Sequence, residues 1–214
     1  MIAIYLQIVG CGVFAMSIFV LGAWLRRHPS KKAAETTSRI VHFFFFFALL
    51  FPLVMGLTDP GLNHYDELLG IPSLPFPTVL LAVGAVMMLI GSGFMMISIL
   101  VLLDRGEGLP AFELTKKLAA KDIYKHTRNP MALGFNLVCT ATGLVAGSLF
   151  FTLFSLIAVL PAIIFFLKYF EERELEIRFG QSYVEYKQRA PFLIPNFRCN
   201  DSGPESENNK RKSC

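Results

Sequence analysis

The sequence predicts an all-α integral membrane protein with five transmembrane helices. The last two form a hairpin that runs into a cytoplasmic helical segment. Three observations predict this. Of 214 residues, 54% are hydrophobic and only 17% are charged, against about 25% charged in a soluble domain. The apolar residues are bunched into long uninterrupted runs. The loops between those runs alternate between basic and free of Lys and Arg.

Ile2 to Leu25 is apolar for more than twenty residues, enough at about 1.5 Å per residue to cross a bilayer core of about 30 Å. A cleaved signal peptide is the competing reading. The run has no basic residues before it and exceeds a typical apolar signal core, so a retained span is expected. Arg26, Arg27, Lys31, Lys32 and Arg39 follow, against a single Glu35. A second span is expected from about Ile40 to Leu57, with Phe43 to Phe47 inside it and His42 snorkelling at its edge.

Residues 58–77 hold Asp59, Asp66, Glu67 and four prolines but no Lys or Arg, and read as a turn-rich loop. The third span is Thr78 to Leu103. Gly84 and Gly91 lie seven apart and so share a face for close helix approach. Its four Met residues read as gap-filling packing. Asp104 to Arg128 is basic, and Ala111 to Tyr124 within it is expected to form a short interfacial helix. Met131 to Val145 is apolar, Ala146-Gly147-Ser148 is a tight turn, and Leu149 to Phe170 is apolar with a kink expected at Pro161. Glu171 to Arg189 is expected as one helix with Phe179, Tyr183 and Tyr186 on one face, ended by Pro191 and Pro195. Three regions result: a three-span part over 1–108, the hairpin and its following segment over 109–195, and a polar, disordered tail over 196–214.

Loop charge sets the expected topology. The first loop has five Lys or Arg, the second none and the third six. The positive-inside rule then puts the N-terminus outside, and the long third loop and C-terminal segment in the cytoplasm of a bacterial inner membrane or on the cytoplasmic face of the endoplasmic reticulum. Arg128-Asn129-Pro130 and Glu171-Glu172-Arg173-Glu174 therefore sit together at the open end of one hairpin. Cys11, Cys139, Cys199 and Cys214 form no CxxC pair and have no His at ligand spacing, so neither a metal site nor a disulfide framework is expected. Nothing suggests a nucleic-acid partner, and the sequence leaves the oligomeric state open.

Ionisable residues at the edge of a span are costly unless paired or wetted, so such a cluster is a candidate site. Arg128 brings a fixed charge and a bidentate fork, Asn129 an amide, and Pro130 a helix start whose N–H groups attract anions. Glu171, Glu172 and Glu174 bring carboxylates, and the faces of Tyr183 and Tyr186 can pack an adenine ring or a cation. A solvated helix face would look the same from these residues alone.

Thr127-Arg128-Asn129-Pro130-Met131, followed by Gly134, resembles the first signature of the integral-membrane methyltransferases that include isoprenylcysteine carboxyl methyltransferase and the phospholipid methyltransferases. Glu171-Glu172, Leu175, Phe179-Gly180, Tyr183, Tyr186, Pro191 and Pro195 resemble the second signature. The resemblance covers about Leu109 to Pro195. It implies bound S-adenosylmethionine and a lipophilic, lipid-borne acceptor entering from the membrane lipid. It implies that Arg128, Asn129 and Pro130 line the cofactor's amino-acid end, with Met131 and Gly134 also among the cofactor-binding residues. It further implies that Glu171 and Glu172 bind the cofactor or orient the acceptor, with Arg128, Glu171 and Glu172 as the catalytic set, and that Tyr183 and Tyr186 close over it. Asn129 stands where many members have His, Ala132 where Tyr is common, and Asp122-Ile123 where Gly-Pro is usual. Two other readings stay open: a non-catalytic membrane scaffold or lipid-binding protein retaining the fold, and a sterol-type membrane reductase.

Overall fold

The computed structural model describes residues 2–58, 62–72, 74–105, 120 and 122–197. Among these, every regular element is helical. α1 is Ile2–Arg27. α2 (31–58) is one helical rod in which α-helix Lys31–Phe44 passes through a π-helical segment, Phe45–Leu50, into α-helix Phe51–Thr58. α3 is Leu62–Leu69, α4 is Pro77–Arg105 and α5 is Pro130–Ala146. α6 (149–179) is a second long rod with two π-helical segments, Ser155–Val159 and Phe166–Glu171. α7 is Gln181–Arg189.

Among the described residues, four helices are long and apolar enough to cross a membrane: Ile4–Arg27, Lys31–Met55, Pro77–Asp104 and Leu149–Phe179. The protein is therefore an all-helical membrane protein. The fifth expected span, α5, is a shorter apolar helix of 17 residues, a length of about 25 Å.

Three boundaries differ from expectation. α2 begins about nine residues early, because the Ser30 hydroxyl accepts from the Ala33 N–H at 3.2 Å and caps the helix ahead of its apolar part. The turn-rich loop contains α3, whose Leu62, Tyr65 and Asp66 are buried under the hairpin turn. The helix expected from Glu171 to Arg189 breaks at Gly180, which takes φ 58° and ψ −134°, a conformation open to glycine. Phe179 thus ends α6 while Tyr183 and Tyr186 lie on α7, yet all three share one apolar cluster. The expected interfacial helix over Ala111 to Tyr124 lies outside the described residues except at its end, where Asp122–Lys125 is a short 3-10 turn. The tail beyond residue 197, with Cys199 and Cys214, also lies outside them.

The core is made by α1, α2 and α6. Phe14, Ile18 and Leu25 meet Val41 and Leu49 on one side and Val159, Ile163, Leu167 and Phe170 on the other. α5 packs on α6 through Gly143, where an added Cβ would lie 2.6 Å from the Thr152 nitrogen. α4 packs on α5 through Gly84 and Gly91, as their shared face predicts. An added Cβ on Gly91 would lie 2.8 Å from the Gly134 carbonyl and 2.9 Å from Leu137 Cβ. Gly147 closes the hairpin turn at φ 70°. Asp66 of α3 fastens that turn from below, its Oδ1 accepting from the Phe150 N–H at 2.7 Å. The hairpin's other end is left to carry the ionisable groups.

Candidate active site at the open end of the hairpin

The two candidate stretches meet through the backbone as well as through side chains. The Arg128 N–H donates to the Pro191 carbonyl at 2.8 Å, and the Asn196 N–H donates to the His126 carbonyl at 2.9 Å. The Thr127 hydroxyl, fully buried, donates to the Leu193 carbonyl at 2.9 Å. The Asn129 amide donates to the Phe192 carbonyl at 2.7 Å. The segment after α7 therefore returns along residues 126–129 and holds them in place, with Pro191 and Pro195 keeping it extended.

That pairing aims Arg128 at α6. Its Nη1 donates to Glu172 Oε1 at 3.1 Å, with both side chains less than a tenth exposed. Lys187 of α7 reaches the other oxygen of Glu172 at 2.6 Å, and Lys168 approaches the first at 3.6 Å. Arg178 closes on Glu174 at 2.7 Å, again with both side chains buried. Glu176 takes Lys187 at 3.2 Å and Arg173 at 3.4 Å. The Phe192 ring lies between two cations, Lys168 Nζ at 4.0 Å and the Arg128 guanidinium carbon at 5.6 Å from its centroid.

Two groups stay apart from this network. Arg128 Nε is buried without a hydrogen-bond partner. No hydrogen bond or ion pair among the described residues reaches the Glu171 carboxylate, although it lies beside Glu172 and Glu174. Glu172 and Glu174 are ion-paired and Glu171 is not.

The helix start of α5 is open in the same way. Pro130 is at its first turn, and Asn129, at the cap position, makes no capping bond because its amide is turned to Phe192. The first N–H groups of a helix left without a side-chain cap are a ready place for an anion.

The tyrosines back this arrangement. Tyr186 donates its hydroxyl to the Tyr124 carbonyl at 2.7 Å. Tyr183 meets Arg128 and Tyr124 meets Ser98 of α4 through their hydroxyls. Burial pushes all three phenols well above their ordinary range. The Glu171 charge adds to this at Tyr183 and Tyr124, while Arg128 opposes it at Tyr183 and Tyr186. All three stay neutral at physiological pH. Hydrogen bonding to Glu172 holds the Lys187 ammonium above its ordinary range against an opposing effect of burial.

Of the residues singled out in the sequence, Arg128, Asn129, Glu171, Glu172, Tyr183 and Tyr186 converge on this end, with Pro130 and Met131 at the helix start beside them. Gly134 lies one turn further in and faces α4, where its missing Cβ admits Met95 and the Gly91 carbonyl. Lys187, Lys168 and Phe192 were not singled out. The four-residue spacing of Lys168 and Glu172 was visible, but the approach of Lys187 depends on the break at Gly180.

The Phospholipid methyltransferase family model matches residues 79–182. The match takes in just under half of the chain. It contains Arg128, Asn129, Pro130, Glu171 and Glu172, and stops just short of Tyr183. The chain is also similar to Methanethiol S-methyltransferase 2 of Bradyrhizobium diazoefficiens, 40% identical over 74 residues, covering 34% of this chain and 27% of that protein. The match thus spans about a quarter of the relative's length. No solved structure matches. The matched segment occupies α4 through the start of α7, while α1 and α2 supply the core against which it is built.

Proposed function

We propose that this chain is an integral-membrane methyltransferase that uses S-adenosylmethionine and acts on a lipid-borne or membrane-partitioned acceptor. In this reading α5 is a fifth span, the N-terminus lies outside and the open end of the hairpin faces the cytoplasm. The observation that carries the reading is the pair of unpartnered groups of opposite sign, Arg128 Nε and Glu171, beside the uncapped start of α5. An amino-acid zwitterion complements them. Arg128 Nε and the first N–H groups of α5 suit its carboxylate, and Glu171 suits its ammonium. The residues present therefore fit the cofactor.

When bound, S-adenosylmethionine supplies an electrophilic methyl group on sulfur. The residues of the chain align, exclude water and handle protons. Glu172 is held by three cations and keeps Arg128 in position. Among the described residues Glu171 belongs to no ion pair, and so is the carboxylate able to take a proton from an acceptor. An isoprenylcysteine carboxylate needs no such step, whereas a phospholipid amine does. A thiol acceptor is a second reading, favoured by the name of the Bradyrhizobium relative, and it too sheds a proton.

Calorimetric titration of the purified full chain in detergent with S-adenosylmethionine tests the proposal, alongside Glu171→Gln and Arg128→Ala. Binding by the parent, lost or weakened in both variants, is expected. No binding by the parent refutes the function, and equal binding in all three refutes the site. Mass spectrometry for a +14 shift in lipids and small thiols, with and without the protein, then distinguishes the acceptors.

A further inference from the structure

α1 lies outside the matched methyltransferase domain, yet it grips the turn of α6 that carries Glu171. Arg26 Nη2 donates to the Tyr169 carbonyl at 2.6 Å, and the Arg26 guanidinium lies 3.7 Å from the centroid of the Tyr169 ring. One turn earlier, Gly22 leaves room for the same ring: an added Cβ would lie 2.7 Å from Tyr169 Cε1. Phe19 stacks on it at 5.9 Å and 17°, and Phe165 at 4.9 Å and 22°. Phe19, Gly22 and Arg26 fall on one face of α1 at spacings of three and four. A single residue of α6 is thus held by backbone, ring face and ring edge.

Tyr169 sits inside the π-helical segment Phe166–Glu171, where the Glu172 N–H reaches back five residues to the Leu167 carbonyl. Such a turn contains one residue more than an α-turn, which leaves carbonyls in excess of N–H donors where the α-ladder resumes, and it persists when an outside donor satisfies them. Arg26 brings an outside donor to the Tyr169 carbonyl within that segment. The same helix serves the other π-segment of α6, Ser155–Val159, where the Cys11 thiol donates to the Ala158 carbonyl at 3.7 Å.

The extra residue has a direct consequence for the site. In an α-helix each residue turns the chain by about 100°. Removing the π-turn would rotate everything after it by about that angle, which is the angular difference between Glu171 and Glu172. The π-turn therefore decides which carboxylate meets Arg128 and which stays unpaired.

We propose that Arg26, with Gly22, is a positioning element for the cofactor site: by clamping Tyr169 it holds the π-turn that points Glu172 at Arg128 and leaves Glu171 for ligand. This rests on the cofactor reading above. The test is S-adenosylmethionine affinity of the full chain in detergent for the parent, Arg26→Gln, Arg26→Lys, Gly22→Ala and the exposed neighbour Arg27→Gln, each with a thermal unfolding scan. Arg26→Gln is expected to raise Kd at least fivefold without loss of the folded transition. Arg26→Lys, which keeps one donor and the charge, should recover part of the affinity, and Arg27→Gln should match the parent. Should Arg26→Gln not fold, Gly22→Ala takes its place, because it displaces the ring with Arg26 intact and should raise Kd by a similar factor. Parent-like affinity in a folded Arg26→Gln, or equal weakening in Arg27→Gln, overturns the inference. Absence of binding by the parent overturns the cofactor reading instead.

Discussion

Glu171 and Glu172 are neighbours of identical chemistry, and their neutralisation should have opposite effects on stability. Glu172→Gln removes the charge from a pair in which both side chains are under a tenth exposed and 3.1 Å apart. Removing one partner of a buried pair costs about 3–5 kcal/mol. The Gln oxygen can still accept from Arg128, which returns about 1 kcal/mol. Lys187 and Lys168 are one-third and one-half exposed, so losing their ion pairs adds only about 0–1 kcal/mol. The net loss is about 3 kcal/mol. For a chain of this size that lowers Tm by about 6–12 °C, at roughly 2–4 °C per kcal/mol. Glu171→Gln breaks no ion pair among the described residues and removes a carboxyl group lying beside two other carboxylates. Its Tm should match or exceed the parent's. Thermal unfolding followed by circular dichroism in one detergent, without cofactor, checks both. A loss in Glu171→Gln equal to that in Glu172→Gln would refute the division of roles between them.

Asp66→Ala removes the acceptor from the Phe150 N–H at the start of α6, and about 1–2 kcal/mol should be lost in the same unfolding assay. Gly91→Leu forces side-chain atoms against the Gly134 carbonyl and Leu137, separating α4 from α5. A loss of about 1–3 kcal/mol or failure to fold is expected, with Ser92→Leu, on another face, as the control. The Lys187 ammonium is held above its ordinary value of 10.5 in the folded chain. Its contribution to stability is then complete below about pH 10.5 and lost as pH rises through the folded value. Stability should therefore show no Lys187-dependent change from pH 6 to 9, and Lys187→Met should blunt the alkaline loss in a pH series of unfolding scans.

Much of this was legible in the residues, for physical reasons. Runs of apolar side chains fix helices in a membrane whatever their partners, which is why α1, α4 and the hairpin were readable to within a few residues. Gly84 and Gly91 announced a close-packed face because a seven-residue spacing is two turns. The juxtaposition of Arg128 with Glu172 followed from loop charge and a three-residue turn. The irregularities were not readable. A π-turn is favoured by contacts supplied from elsewhere, and here Arg26 reaches the Tyr169 carbonyl from more than a hundred residues away along the chain. The break at Gly180 requires φ 58°, which glycine permits but does not demand. α3 was hidden by its acids and by the prolines on either side of it, although Leu62, Tyr65, Asp66 and Leu69 carry a helical period.

The division between the matched domain and the working site follows from the same contacts. The domain match ends at residue 182, but Arg128 is held by the Pro191 carbonyl, Asn129 by that of Phe192 and Thr127 by that of Leu193, while Lys187 shares Glu172 with Arg128. On the other side, Arg26 and Gly22 hold the turn before Glu171. In the proposed reading the signature residues supply the chemistry, and their directions are set by segments before and after the matched domain. Asn129 shows what this means for a single position. Its amide donor is committed to Phe192, so it acts on the site by fastening the returning segment and by leaving the start of α5 uncapped. A substitution there that keeps a donor to that carbonyl preserves the frame, and one that loses it loosens both signatures together.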